Sequence, residues 1–149
     1  MYLVGVAGAV LSVSSCAPPP TADSELAAAQ LAAATEIANG IARNPGPLRT
    51  ICVAYSGDWA DPALPTGSGA VSFAYAEGCE EIDGQLFAQA GASRAIWLGV
   101  GEPELSGGSS AEVRVFTSTG VDDAASYLCT LRWTGSDWVV DSCEMGATS

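Results

Sequence analysis

Residues 24–55 have the sequence SELAAAQLAAATEIANGIARNPGPLRTICVAY and contain the change of periodicity that decides the fold. From Ser24 to Arg43 the chain is rich in alanine, and apolar residues recur at helical spacing, which predicts an amphipathic helix. The segment NPGP at 44–47 ends that helix. Beyond Leu48 the pattern changes to the two-residue alternation of strands. The chain therefore combines an N-terminal helix with a following sheet.

The predicted helix has one apolar stripe and one polar face. We expect the stripe to pack on the sheet because the polar face lacks the basic residues of a membrane-surface helix. The stripe consists of Leu26, Ala29, Ala33, Ile37 and Ile41, and the polar face carries Glu25, Gln30 and Glu36.

The rest of the chain repeats short alternating segments separated by glycine, proline, serine and aspartate. The predicted strands are 50–55, 70–75, 85–89, 94–100, 111–118, 126–133 and 138–143. The intervals between them are too short for a second helix, so we expect no parallel crossovers. The predicted fold is α+β, with one N-terminal helix packed on a curved antiparallel β-meander. It resembles the cystatin-like and NTF2-like architectures by fold analogy alone.

The charge of the chain excludes several functions. It has 17 acidic and 5 basic residues, a net charge of −12, and no histidine. Nucleic acid and anionic lipid surfaces are poor partners, since both are bound through clusters of Lys and Arg. The five bases are all arginine, so there is no lysine to form a Schiff base. The absence of histidine excludes Ser-His nucleophiles and imidazole metal sites. We predict no cofactor, no metal site and no catalytic residue.

The N-terminal segment predicts export. Residues 2–15, YLVGVAGAVLSVSS, have the length of a signal-peptide hydrophobic region and are too short to cross a bilayer. They end in Val13-Ser14-Ser15-Cys16, an aliphatic residue and two small residues before a cysteine. This segment resembles the lipobox of bacterial lipoproteins. The resemblance implies that the mature chain begins at Cys16 and is held in the membrane by acyl chains on that residue.

The same resemblance divides the chain into three parts. Residues 1–15 are the signal peptide, residues 16–22 a proline-rich tether, and residues 23–149 a single disulfide-bearing α+β domain. Three prolines keep the tether extended. The protein would be exported and lipid-anchored in the cell envelope. In a Gram-negative host, Ala17 after the lipidated cysteine implies the periplasmic face of the outer membrane.

The remaining cysteines form an even set, which in an exported chain predicts two disulfides: Cys52, Cys79, Cys129 and Cys143. Of the three possible pairings we favour Cys52–Cys79 with Cys129–Cys143. A two-residue loop at 135–136 would place Cys129 opposite Ser142. The second bridge therefore requires a three-residue loop or a β-bulge that shifts the register by one.

Two acidic segments are candidate ligand sites. In residues 56–62, SGDWADP, the side chains of Asp58, Trp59 and Asp61 are suited to stacking a sugar or a cation. The favoured alternative is that Trp59 closes the open end of the sheet. In residues 77–84, EGCEEIDG, the pair Glu80 and Glu81 is suited to acid–base chemistry or Ca²⁺. For this second segment, a solvated turn between two strands is the favoured alternative.

These observations lead us to expect a small envelope-anchored lipoprotein with a non-catalytic binding or structural role. One alternative is an acidic module that inhibits or sequesters a cationic envelope protein such as a lysozyme. Another is a carboxylate-based enzyme with a pocket between helix and sheet. The sequence leaves the oligomeric state open.

Overall fold

The computed structural model describes residues 20–66, 69–120 and 123–148. The signal peptide, Cys16 and the tether up to residue 19 lie outside the described residues, so the lipobox stays a prediction. One α-helix, α1 (Asp23–Arg43), is followed within the described residues by nine strands. These are β1 (Thr50–Tyr55), β2 (Ser72–Tyr75), β3 (Cys79–Ile82), β4 (Gln85–Ala88), β5 (Ala95–Val100), β6 (Glu104–Ser106), β7 (Ser110–Gly120), β8 (Asp123–Trp133) and β9 (Trp138–Thr148).

Helix α1 begins and ends where its sequence predicts. The Glu25 carboxylate accepts a hydrogen bond from the Ala22 amide, and acidic residues occupy the first turn while Arg43 occupies the last. This distribution of charge is favourable to the helix dipole. The buried face is mostly alanine, with Ala29, Ala33 and Ala34 fully buried. Because these side chains are small, the helix backbone can approach the sheet closely.

The nine strands form one mostly antiparallel sheet, so the predicted α+β class is confirmed. The central order is β2-β1-β5-β7-β8-β9, and β6 pairs with β7 beside it. The β3–β4 hairpin joins the sheet through one pairing of Gln85 with Gly120. The indole N–H of Trp138, at the start of β9, donates to the Glu25 carbonyl at 2.8 Å and ties the far end of the sheet to α1.

Two strand pairs are parallel, which corrects the expectation of a purely antiparallel meander. Strand β1 lies between β2 and β5 and is parallel to both. A parallel crossover needs a sufficient length of chain but not a helix. Here the loop 56–71 connects β1 to β2, and a segment containing the β3–β4 hairpin connects β2 to β5. The prediction failed because it treated the helix as necessary.

The sheet has two unequal faces. The face under α1 carries the main core, including Ile51, Leu98 and Leu131, all fully buried. The β3–β4 hairpin covers part of the other face and encloses a smaller core around the Cys52–Cys79 bridge and Leu86. Phe116 lies in the middle of β7 but is 48% exposed, so the hairpin leaves part of this second face open.

Both favoured disulfides form: Cys52–Cys79 and Cys129–Cys143. In the β8–β9 hairpin, Trp133 pairs with Trp138 and Leu131 with Val140, as a two-residue turn requires. The register then shifts by one between Thr130 and Leu131, and Cys143 comes opposite Cys129 with the Cα atoms 4.0 Å apart. The β-bulge predicted as one way to form this bridge is therefore confirmed.

Two short strands were not predicted. Strand β3 lies in the acidic segment for which a solvated turn was favoured, and only Asp83 and Gly84 form the turn, with φ values of 51° and 78°. Positive φ at both positions is typical of the tight turn between two hairpin strands. Strand β6 lies in the interval predicted as a loop. Neither strand shows the alternation of buried and exposed residues by which a strand is predicted, because Glu80–Ile82 and all of β6 are exposed.

Candidate functional site

The ends of the parallel strands β1 and β5 meet at the side chain of Gln30, which is fully buried on α1. Its amide nitrogen donates to the carbonyls of Ser56 and Gly101, the first residues after β1 and β5. Its amide oxygen accepts a hydrogen bond from the Trp59 indole N–H at 2.9 Å. One buried amide thus joins the helix to two other segments, the loop after β1, which contains Ser56 and Trp59, and the chain after β5. The assignment of Gln30 to the polar face is therefore wrong.

The indole of Trp59 packs directly over Gly57. A Cβ atom at Gly57 would lie 2.7 Å from the indole ring, and the φ of +136° there also favours glycine. The glycine therefore allows the loop to turn sharply as it leaves β1 and lets the ring return over its own backbone. Trp59 is half-buried and is held at the sheet end by Gln30.

A depression of about 420 Å³ lies between the start of α1 and the Trp59 loop. Its lining brings Asp58 and Trp59 together with Asp23, which the sequence pattern did not single out; Ser24, Ala27 and Ala60 complete it. Two carboxylates beside an indole can interact favourably with a cation. Asp61 is not part of this lining. Asp23 is far from Asp58 and Trp59 in the sequence, so only the tertiary structure identifies it as part of this lining.

Asp61 lies instead near two tyrosines that hold the loop 56–71. The Tyr55 hydroxyl donates to the Ala63 carbonyl at 3.0 Å, and the Tyr75 hydroxyl donates to the Pro62 carbonyl at 2.9 Å. Burial, followed by the nearby Tyr75 and Asp61, raises the pKa of the Tyr55 phenol well above its ordinary value of 10. The Tyr55 phenol therefore acts as a neutral hydrogen-bond donor at physiological pH.

Glu80 and Glu81 do not form a carboxylate pair. They are consecutive residues of β3, opposite Phe87 and Leu86 of β4, and successive side chains of a strand point to opposite faces. Both are exposed. Within the described part of the chain, no group of three or more Asp, Glu, Cys or His residues is positioned to hold a metal ion.

A groove of about 290 Å³ lies between the second half of α1 and strands β8 and β9. It contains the carboxylate of Glu36 and the guanidinium of Arg43, with Ile37, Gly40, Ile41, Tyr127 and Cys143 completing its lining. None of the four acids predicted as ligand-binding residues lines this groove. The groove between the second half of α1 and the sheet is therefore separate from the four candidate carboxylates.

No protein-family model matches this chain, and no curated protein or solved structure is significantly similar to it. Two disulfides indicate an oxidising, exported environment. No helix among the described residues is long and apolar enough to cross a membrane.

Replacing Gln30 tests the link at the sheet end. Gln30→Leu retains a side chain of similar size but leaves the carbonyls of Ser56 and Gly101 and the Trp59 N–H without their partner. We expect the free energy of unfolding, measured by urea denaturation, to fall by about 1–3 kcal/mol. The matched control is Asn39→Leu at an exposed position of the same helix, expected to change it by about 0.5 kcal/mol or less. Equal effects of the two variants would contradict the assigned role of Gln30.

The raised pKa of Tyr55 predicts a loss of stability in alkali. The unfolded chain releases the phenolic proton near pH 10, whereas the folded protein retains it. The contribution of Tyr55 to the free energy of unfolding is therefore complete below pH 10 and decreases above it. The free energy of unfolding of Tyr55→Phe should therefore fall less steeply between pH 9 and about pH 11 than that of the original protein. Tyr127→Phe, whose hydroxyl is outside this loop, is the control and should preserve the original slope.

Proposed function

We propose that the protein is a lipid-anchored envelope lipoprotein whose folded domain has a non-catalytic binding role. The observation that carries this proposal is the pairing of four of the five cysteines inside the domain. Cys16 is the fifth, and it lies at the end of the VSSC segment. A cysteine without a disulfide partner in an exported chain is well explained as the attachment point of a lipid.

The tether fits an acidic domain held near a membrane. Pro20 is fully buried, so the part of the tether left to extend is residues 16–19. At about 3 Å per residue, these four residues would span about 12 Å when extended. The screening length at physiological salt is about 8 Å, so an extended tether places most of the domain beyond strong repulsion by anionic lipid headgroups. A domain with few bases and many carboxylates benefits from such a separation.

The intact mass of the protein in the membrane fraction tests the anchor. We expect a chain that begins at Cys16, is heavier by its acyl groups, and is lighter by the protons lost in two disulfides. Cys16→Ala removes the thiol that accepts the lipid, so this variant should lack the acyl mass and leave the membrane fraction. An unmodified chain beginning at Met1 would refute the proposed anchor.

A second candidate function is the sequestration of a cationic protein. It is favoured by the surface charge, because the single ion pair among the described residues joins Arg132 to Asp141, and both side chains are exposed. The other acidic side chains of the described surface have no basic partner within ion-pair distance. The depression at Trp59 is lined by an aromatic ring together with Asp23 and Asp58, which suits an arginine or lysine side chain of a partner.

Binding to hen-type lysozyme as a basic probe protein tests this second function. Affinity should fall as salt is raised, because exposed charges attract less strongly when screened. The double variant D23N/D58N should weaken binding by about 2- to 30-fold. The control E104Q/D137N removes the same charge from other exposed positions and should have the smaller effect. Equal effects would reject the Trp59 depression as the binding site.

A carboxylate-based enzyme receives less support from the geometry. Asp58 and Asp61 belong to different parts of one loop, while Glu80 and Glu81 point to opposite faces of β3. General acid–base chemistry needs two groups that converge on one substrate. These four carboxylates do not converge.

A further inference from the structure

The face of the sheet opposite α1 contains a cavity of about 400 Å³ that the proposed function does not use. It lies beyond the part of this face that the β3–β4 hairpin covers. Its lining comes from the ends of β1 and β5 and from the middle of β7 and β8: Ala54, Ser56, Gly99, Val100, Gly101, Arg114, Val115, Phe116 and Ser126.

The floor of the cavity is a row of small residues that crosses the strands. Ala54 of β1 pairs with Gly99 of β5, Gly99 pairs with Phe116 of β7, and Phe116 pairs with Ser126 of β8. Directly paired residues present their side chains on the same face of a sheet. Phe116 is therefore the only large side chain in this row, and its neighbours in the row are small.

Gly99 has no structural need to be glycine. It lies in the interior of β5, its pairings on both sides are regular, and its φ is outside the left-handed region. A Cβ atom there would meet only ordinary contacts with Phe116, the nearest at 3.9 Å. Glycine inside a strand is less favourable than alanine, and it often marks a place where a ligand approaches the backbone. Its effect here is to keep the floor of the cavity open.

The charge in the cavity is opposite to that of the protein as a whole. Among the residues that line it, Arg114 alone is charged, while the net charge of the chain is −12. Arg114 and Phe116 lie two residues apart on one strand and so share a face. Within the described part of the chain, Arg114 forms no ion pair. Glu112 shares that face but is outside the lining.

We propose that this cavity binds a small aromatic carboxylate, with its ring over Gly99 beside Phe116 and its carboxylate against Arg114. An aromatic ring can lie close to the backbone at Gly99, which has no side chain, and Phe116 offers it an edge-to-face or offset-stacked contact. The guanidinium of Arg114 matches a carboxylate in both charge and planar geometry. This site is on the other face of the sheet from the Trp59 depression, and it depends on neither the anchor nor a cationic partner.

Titration of the full chain with 2-naphthoate, followed through backbone amide chemical shifts, tests the site. We expect the largest shifts at Gly99, Gly101 and Phe116, with little change at Trp59. The neutral analogue 2-naphthylmethanol should bind more weakly, and the cationic analogue 2-naphthylmethylamine more weakly still, because only the carboxylate is attracted to Arg114.

Three variants separate the parts of the site. Arg114→Gln should weaken naphthoate binding by about 5-fold and leave the neutral analogue unaffected. Gly99→Leu fills the floor and should weaken both ligands by about 10-fold or more. Arg132→Gln is the control, since Arg132 lies on the same face outside the cavity and should bind both ligands as the original protein does.

Gly99→Ala keeps the test decisive if Gly99→Leu does not fold. The structure has room for this methyl group, so the variant should fold, and it should weaken both aromatic ligands. The proposal is overturned if naphthoate shifts are centred elsewhere, if Arg114→Gln and Arg132→Gln have the same effect, or if the amine binds as tightly as the carboxylate.

Discussion

The buried amide of Gln30 is the interaction on which the arrangement of this protein depends. The parallel strands β1 and β5 lie on one side of the sheet and leave unpaired carbonyls where they end, and such groups are costly to bury without a partner. Gln30 supplies the donor for the carbonyls after β1 and β5 and, through its oxygen, binds the indole that closes the loop above them. The helix is therefore positioned by one polar contact as well as by its alanine face.

The same constraint explains how a parallel pair forms without a crossover helix. In the described residues of the connection 56–71, side chains supply hydrogen bonds to the backbone. Trp59 fixes its start through Gln30, and the hydroxyls of Tyr55 and Tyr75 fix its middle. The acidic segment SGDWADP is first of all part of this loop. Any ligand bound at the Trp59 depression would meet a surface already organised by the fold.

One helix can cover only one face of the sheet, and the Cys52–Cys79 bridge helps to cover the other. Helix α1 buries one face, and the Cys52–Cys79 bridge holds the β3–β4 hairpin against part of the other. The remaining part of the second face is open, and the small residues Ala54 and Gly99 border it. Acidic groups and the Trp59 ring lie near the helix start, whereas Arg114 and Phe116 lie on the opposite face. The two surfaces of the domain therefore differ in charge.

The sequence by itself determined the elements whose signals are local. The alanine-rich periodicity located α1, the alternation located β1, and the even set of cysteines with the hairpin register identified the bulge and the Cys129–Cys143 bridge. Asp58 and Trp59 were also recognised as neighbours, because they are adjacent in the chain. Tertiary structure alone decided the parallel order around β1, the exposed strand β3, the burial of Gln30 and the contribution of Asp23 to the Trp59 depression. The physical reason is that each of these depends on contacts between segments far apart in the chain: an exposed strand has no burial pattern, and a polar side chain on a helix becomes a core residue only when distant carbonyls need its hydrogen bonds.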